Sequence, residues 1–438
     1  MPKLLLFAHS GLSDEDANGR TMKALLQAWS PEELAEFYCD VQPPDFTAAA
    51  QHFRVTDTEM LKAFFGKRIS NPKAPSNVPS RTAMNGGEAP RIPAWLKRQK
   101  YNFVLKWARE YLWMLSPWGH QGLRDWIRAF DPDGILYMVG ESLFMDRLVL
   151  DVAKLTGKPL ILYHGEAFRI IDLNRRKGLE RAYYRAAEER YGQLADRASL
   201  ILYHSDCLRR AYEARYPACA DGMVAYNGGS CDYQEYVSHT PLKLTYFGNL
   251  GVGRVPSLLQ VADVLSEIDG VLKIDVYGTA LEEDAEALRE RTNINYHGFI
   301  SAQALHEVVE QSDILLHVES FDAQIVEKLR YAFSTKLAQC LCAGRCLLSY
   351  APEETASTQY LLSERAAAVA TDLCELRETL ADVVTNSESR MAYARRGYGV
   401  AQRNHRAEVT SQRVKDAITA VLNETPGTRP LNGEGAVR

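Results

Sequence analysis

The sequence predicts an α/β protein made of two Rossmann-like, doubly wound domains facing across a cleft. Three observations carry that reading. A chain of 438 residues exceeds what one ordinary core organises and suits two units of roughly 200 residues each. Its short apolar runs are continuous rather than alternating, the pattern of parallel strands covered on both faces. Helical patterns stand between most of these runs, and β-α alternation builds a parallel sheet with helices on either side.

In chain order, the first series of strands is Leu4 to Ala8, Gly134 to Val139, Leu160 to Tyr163, Leu200 to Tyr203 and Met223 to Tyr226, with helical patterns over Thr21 to Trp29, Leu143 to Leu155 and Arg176 to Ala195. The chain turns loop-like at Asn227-Gly228-Gly229-Ser230. A second series follows: Leu242 to Phe247, Leu272 to Tyr277, Ile294 to His297, Ile314 to Val318, Cys346 to Tyr350 and Ala367 to Ala370. This organisation predicts an N-terminal domain over residues 1–235, a C-terminal domain over 236–385 and a helical segment over 386–424 that packs back toward the first domain. Residues 71–93, rich in Pro, Ser, Asn and Gly, read as a mobile loop, and 425–438 as a disordered tail. Two such units leave a cleft in which ligands bind at the carboxyl ends of the strands.

The composition, 46% hydrophobic and 24% charged, is that of a soluble globular protein, and a net charge of -5 argues against a nucleic-acid partner. No apolar run reaches the ~18 residues of a membrane span. The opening Met1 to Phe7 is too short for a signal peptide and reads as a buried first strand. The expectation is a cytoplasmic protein in which the eight scattered cysteines stay free thiols. Cys340, Cys342 and Cys346 match no zinc spacing and read as core, so no metal site is expected.

Two segments carry candidate chemistry. In the first, the strand ending at Phe247 runs into Gly248, Gly251 and Gly253, then Arg254, then a helix. Glycines let a backbone approach an anion, the helix start adds positive potential, and an arginine grips phosphate with two donors. A plain glycine-rich turn with a solvated arginine is the other reading. The second segment is Ser334-Thr335-Lys336 through Gln339 to Gly344. Ser334 or Thr335 suits a helix N-cap. A cation at Lys336 in the first turn opposes the helix dipole unless an anion lies nearby. An ordinary surface lysine on a capped helix is the alternative.

The order of these segments, with Asn295 to Ser301 and Ser312 to Val318 between them, resembles the donor domain of glycosyltransferase family four over residues 241 to about 385. Ala17-Asn18-Gly19-Arg20-Thr21 and Asp131 to Leu136 resemble acceptor-domain segments of its bacterial capsule and lipopolysaccharide members. The resemblance implies the GT-B arrangement and an enzyme that transfers a sugar from a nucleotide-diphosphate sugar to a glycan or lipid-linked glycan acceptor. It implies bacterial surface polysaccharide synthesis, retention of configuration, and no cofactor or metal. Carried over by position, Arg254 and Lys336 hold the diphosphate, with Gly248, Gly251, Ser334 and Thr335 beside them. Gly298-Phe299-Ile300 is the turn that reads the base, and His164 is the acceptor-domain histidine at the donor sugar. Asn18, Gly19, Arg20 and Glu166 lie on the acceptor side, where Asp16 and Glu141 are further candidates for the acceptor hydroxyl.

One departure matters. The family places two glutamates eight positions apart with a glycine five positions after the second. Glu319 and Glu327 have that separation, but Gly344 lies far downstream. A register set by Gly344 puts Gln339 at the ribose, leaves Glu319 for the sugar, and implies an insertion between them. The literal Glu319–Glu327 pair is the other register. Residues 91–115 interleave bases with aromatics, so this stretch is either a helix lying on an anionic inner-membrane surface or one whose aromatic face is core. A non-catalytic nucleotide-sugar-binding subunit and a sugar-nucleotide epimerase remain the competing functions.

Overall fold

The computed structural model describes residues 2–14, 17–66, 102–115, 120–217, 222–231 and 238–423. Asp16, the stretch 71–93, the part of 91–115 before Asn102, and the tail 425–438 lie outside them.

The N-terminal part forms a seven-stranded sheet in the order β3-β2-β1-β4-β5-β6-β7. Its strands are β1 (Leu4–Phe7), β2 (Leu34–Tyr38), β3 (Gln51–Arg54), β4 (Gly134–Met138), β5 (Leu160–His164), β6 (Ala198–Tyr203) and β7 (Gly222–Val224). All its pairings are parallel. Helices α1 (Ala17–Leu25), α2 (Asp57–Phe64), α3 (Phe103–Leu115), α4 (His120–Phe130), α5 (Leu143–Thr156), α6 (Gly178–Arg197) and α7 (Asp206–Arg215) connect them. Alternation along β1 sends Leu5 and Phe7 into one core, with Trp113 of α3 and Tyr191 of α6. Leu4 and Leu6 enter a second core on the opposite face, with Met22 and Leu25 of α1.

Two strands escaped the sequence reading. In β2 the apolar run is broken by Glu36, and β3 reads Gln-His-Phe-Arg. Glu36 is buried with its carboxylate held by His52 Nδ1 at 2.7 Å and by the Leu12 amide at 2.8 Å. A paired buried charge breaks the hydrophobic pattern without breaking the strand.

The second sheet has the order β10-β9-β8-β11-β12-β13, again all parallel. Its strands are β8 (Leu244–Phe247), β9 (Ile274–Tyr277), β10 (Ile294–Gly298), β11 (Ile314–Val318), β12 (Cys346–Tyr350) and β13 (Ala368–Ala370). Its helices are α8 (Val255–Ile268), α9 (Glu282–Arg289), α10 (Ala302–Glu310), α11 (Ala323–Leu329), α12 (Lys336–Cys342), α13 (Ala356–Glu364), α14 (Leu373–Thr385) and α15 (Ser387–Asn404). The last helix, α16 (Ala407–Asn423), crosses back to the first sheet. Its Val414 and Ile418 join the core of Leu4 and Leu6, and Ser411 Oγ donates to the Leu25 carbonyl at 2.9 Å.

The order of each sheet reverses at one place, between β1 and β4 and between β8 and β11. At such switch points neighbouring connections leave to opposite faces, opening a crevice at the carboxyl ends.

Candidate active site between the domains

Two cavities lie along the interdomain cleft. The smaller, about 670 Å³, is bounded by the starts of α8, α12 and α13 on the C-terminal side and by α1 on the other. Ala17, Arg20, Thr21 and Ala24 line it, a spacing that gives α1 one face toward the cleft. The larger, about 1590 Å³, is lined from both domains and includes Glu141, Glu166, Arg175 and Glu327. Helix α11 and the turn after it contribute to both walls.

The cation at the small cavity depends on a missing side chain. Gly248 follows β8 with φ +127°, and a Cβ there would stand 2.6 Å from Lys336 Cδ. Lys336 uses that space to lie 4.4 Å from the centroid of the Tyr246 ring and to donate to its hydroxyl at 3.2 Å. Lys336 is the first residue of α12, whose N-cap Thr335 makes no side-chain capping bond. The Ser334 amide instead donates to Ser357 Oγ at 2.9 Å, joining the starts of α12 and α13. Gln339, one turn on, lines the same cavity.

Arg254 stands at the N-cap of α8, after a turn in which Val252 and Gly253 both have positive φ. A β-branched residue rarely takes that conformation, so the turn holds strain of the kind found at functional sites. Its guanidinium meets Glu319, the residue after β11, through Nε at 2.8 Å and Nη2 at 3.0 Å, while Nη1 donates to the Asn249 carbonyl at 2.9 Å. Burial alone would raise the Glu319 carboxyl. The nearby His317 ring and the Arg254 contact outweigh it and hold the pKa down to about 2. Glu319 borders the cavity, yet both its oxygens are engaged by Arg254. The sequence reading placed it at the sugar; here its carboxylate is turned to the arginine.

His164 is the main correction. It ends β5 as expected but is fully buried, lining neither cavity. Its ring lies among Tyr191, Tyr203 and Tyr212, with Nε2 2.9 Å from the Tyr191 hydroxyl. Burial, with Arg169 nearby, pushes its pKa well down. The strand turns this side chain inward, away from the cleft.

Other expected residues divide between the cavities. Arg20, read as acceptor-side, faces the small cavity opposite Lys336 and Arg254. Asn18 and Gly19 lie on α1 outside the lining, and Gly19 is buried. Glu166 and Glu141 line the large cavity. Gly251 lies outside the cavity lining, and its amide donates to Asn249 Oδ1 at 2.8 Å, closing the turn. Gly298 ends the edge strand β10, and Phe299 and Ile300 follow it, all outside the cavity lining, with Phe299 80% exposed. From the next helix, Leu305 and His306 reach the cavity instead. Glu327 lies on α11, 67% exposed, and pairs across the cleft with Arg175 at 2.6 Å. It lines the large cavity, so the structure brings Gln339 rather than Glu327 to the wall beside Lys336.

The expectation of free thiols is corrected at one place: Cys231 and Cys342 form a disulfide beside the domain connection. Cys340 and Cys346 are free and buried, as core residues. Among the described residues no group of three His, Cys, Asp or Glu side chains is placed to hold a metal, and no helix is long and apolar enough to cross a membrane. In α3, Trp113 is core, stacked on Phe144 at 3.9 Å, while Val104, Tyr111 and Leu115 are exposed.

Residues 257–417 match the family model described as glycosyl transferase-like. No curated protein matches the chain. Among solved structures, HepE of Anabaena in complex with UDP is similar at a TM-score of 0.64 and 11% identity, over 95% of this chain and 100% of that one. The lipopolysaccharide outer core galactosyltransferase WaaB is similar at a TM-score of 0.56 and 12% identity, over 95% and 99%. WaaG, a glycosyltransferase involved in lipopolysaccharide biosynthesis, is similar at 0.53 and 13%, over 94% and 99%. Residues 257–417 thus match a glycosyl transferase-like model, and the chain as a whole has the two-domain GT-B fold of these structures.

Proposed function

We propose that the enzyme takes a nucleoside-diphosphate sugar in the small cavity and transfers the sugar to a glycan or lipid-linked glycan lying in the large one. The observation that carries this reading is the convergence of Lys336, Arg254 and Arg20 on one cavity where three helices begin. Breaking the bond from sugar to diphosphate moves negative charge onto the leaving group. Fixed cations and helix starts stabilise that charge without reorganising, which favours the transition state over the bound donor. Gln339, on the same helical face as Lys336, is assigned to the ribose next to the diphosphate; an amide oxygen accepts a hydroxyl hydrogen bond, less strongly than a carboxylate. Glu166 and Glu141 are assigned to the acceptor. Retention of configuration, independence from metal, a role in bacterial surface polysaccharide and contact of the exposed α3 face with the inner membrane complete the proposal.

Because solved HepE structures hold UDP and UDP-glucose, uridine is the first base to try. Thermal melts with UDP, GDP and ADP test the site, since a ligand that binds only the folded chain raises the melting temperature. A rise with one of them, lost in Arg254→Ala and Lys336→Ala, is expected. No rise with any, together with no sugar release from UDP-glucose, GDP-mannose or ADP-glucose, overturns the donor assignment. Activity abolished by EDTA and restored by magnesium or manganese overturns metal independence.

A further inference from the structure

We propose that His317 is a positioning residue of the donor site: it steadies Glu319, and through Glu319 it aims the free edge of Arg254 at the donor diphosphate. The inference rests on the donor-site reading above and adds a residue that lines no cavity.

Strand alternation sets the stage. Ile314, Leu316 and Val318 of β11 enter one core, and Leu315 enters the core on the other face. His317 follows Leu315 onto that second face and is 1% exposed. Its register partner on β12 is Ser349, also buried, whose Oγ lies 2.9 Å from Nδ1. An apolar pair would suit this position at least as well, so a buried histidine needs a reason. With the serine hydroxyl donating to Nδ1, the ring proton sits on Nε2. That nitrogen has no hydrogen-bond partner among the described residues, and Glu319 Oε1 stands 3.4 Å away. This is long for a hydrogen bond but closed by a small turn of either side chain. Burial lowers the pKa of the imidazole against the pull of Glu319, which favours a neutral ring that donates to Glu319 without adding a charge beside Lys336 and Arg254.

At the other end of this chain, a guanidinium has five N–H donors. Glu319 takes the side edge, Nε and Nη2, and Asn249 takes one proton of Nη1. One proton remains on each terminal nitrogen, and those two form the end-on fork that matches two oxygens of a phosphate. The direction of the fork follows the plane of the Glu319 carboxylate. A carboxylate gripped only by the arginine it is meant to orient can rotate with it. A second donor from the strand beneath fixes that plane.

The test compares wild type with His317→Gln, His317→Asn, His317→Leu and Arg254→Ala, each titrated with UDP, GDP and ADP and melted without nucleotide. Gln keeps an N–H at the reach of Nε2. Asn keeps the bond to Ser349 but falls short of Glu319, and Leu loses both. Expected is binding roughly ten-fold weaker in the Asn and Leu variants, the scale of one hydrogen bond to a charged group. The Gln variant should recover most of it, with no matching order in the melting temperatures. Should the Leu variant not fold, the Asn–Gln contrast decides. Binding within two-fold of wild type in Asn, with binding lost in Arg254→Ala, overturns the role of His317 alone. Losses in Gln and Asn that simply follow lost stability also overturn it. A wild-type protein that binds none of the three nucleotides overturns the donor site and this inference with it.

Discussion

His164 ends β5 in the N-terminal sheet, and His317 stands one residue before the end of β11 in the C-terminal sheet. Both are buried, and burial lowers the pKa of both. Around His164 stand tyrosines: Nε2 meets the Tyr191 hydroxyl, and the residues beyond are core. Around His317 stand a serine on one side and, on the other, a carboxylate that grips an arginine at the cavity wall. The same residue at the same kind of place thus serves packing in one domain and is proposed to serve a ligand in the other. A strand end is not enough to mark a functional histidine; what its second nitrogen meets decides.

The contrast between the two walls can be broken at several points. The largest effect is expected on the C-terminal wall. Arg254→Ala and Lys336→Ala should each cost about 2–4 kcal/mol of transition-state stabilisation, the usual loss for a preorganised charge partner. Steady-state kcat/KM with the donor found by thermal shift checks this, and near-normal values in both folded variants would move the diphosphate elsewhere.

Next comes acid stability, to which two buried histidines at the junction of the walls contribute. His204, just after β6, packs edge-on against Phe333, and His405 donates from Nδ1 to the Asn227 carbonyl and accepts at Nε2 from the Tyr360 hydroxyl. Burial lowers both to about 4, from an ordinary 6.5. Between those values the unfolded chain binds more protons than the folded one, so stability is full above pH 6.5 and is lost as pH falls toward 4. Urea midpoints at pH 7.5, 6 and 5 should fall in that order. Removing His405 (His405→Gln) should flatten the slope; an unchanged slope would place the acid sensitivity elsewhere.

A smaller effect is expected at Gln339. Alanine there should weaken donor binding by about 0.5–1.5 kcal/mol, the net worth of one neutral hydrogen bond, and glutamate should preserve or tighten it. Glu327→Ala should leave donor affinity unchanged and lose only an exposed pair with Arg175, worth about 0–1 kcal/mol. Calorimetric titration of both variants tests the register; indifference at Gln339 with loss at Glu327 reverses it. The smallest effect belongs to His164. His164→Phe keeps an aromatic ring among tyrosines, so kcat/KM should stay within about two-fold while stability shifts by about 1 kcal/mol, typical of a volume-conserving core change. A hundred-fold loss of activity in a stable His164→Phe protein would restore it to the site.

Much of the C-terminal wall was legible because local chemistry marks it. A strand running into Gly248, Gly251, Gly253 and Arg254, and a lysine in the first turn of a helix, are local features that a bound anion would favour. Gln339 came from the register that the family resemblance sets at Gly344, and its three-residue spacing puts it on the face of Lys336. What stayed hidden was hidden for a physical reason. Glu36 breaks the apolar run of β2, and only its contact with His52, across the β2–β3 pair, makes it a core residue. His317 sits in an apolar strand and gave no signal beyond one polar letter; its meaning depends on Ser349 and Glu319, brought together by sheet pairing.

The sequence by itself determined the two α/β units, all of their strands but β2 and β3, and the place of the glycine-arginine turn and of Lys336. These follow from periodicity, turn residues and helix starts, which are properties of neighbouring residues. Tertiary structure alone decided which way each side chain faces and what meets it across the cleft. It sent His164 inward and gave both oxygens of Glu319 to Arg254. It placed Arg20 with Arg254 and Lys336 at one cavity, set Glu327 against Arg175, and joined Cys231 to Cys342. The reason is geometric: strand pairing and domain packing bring together residues tens to hundreds of positions apart, and no local pattern in the chain records those meetings.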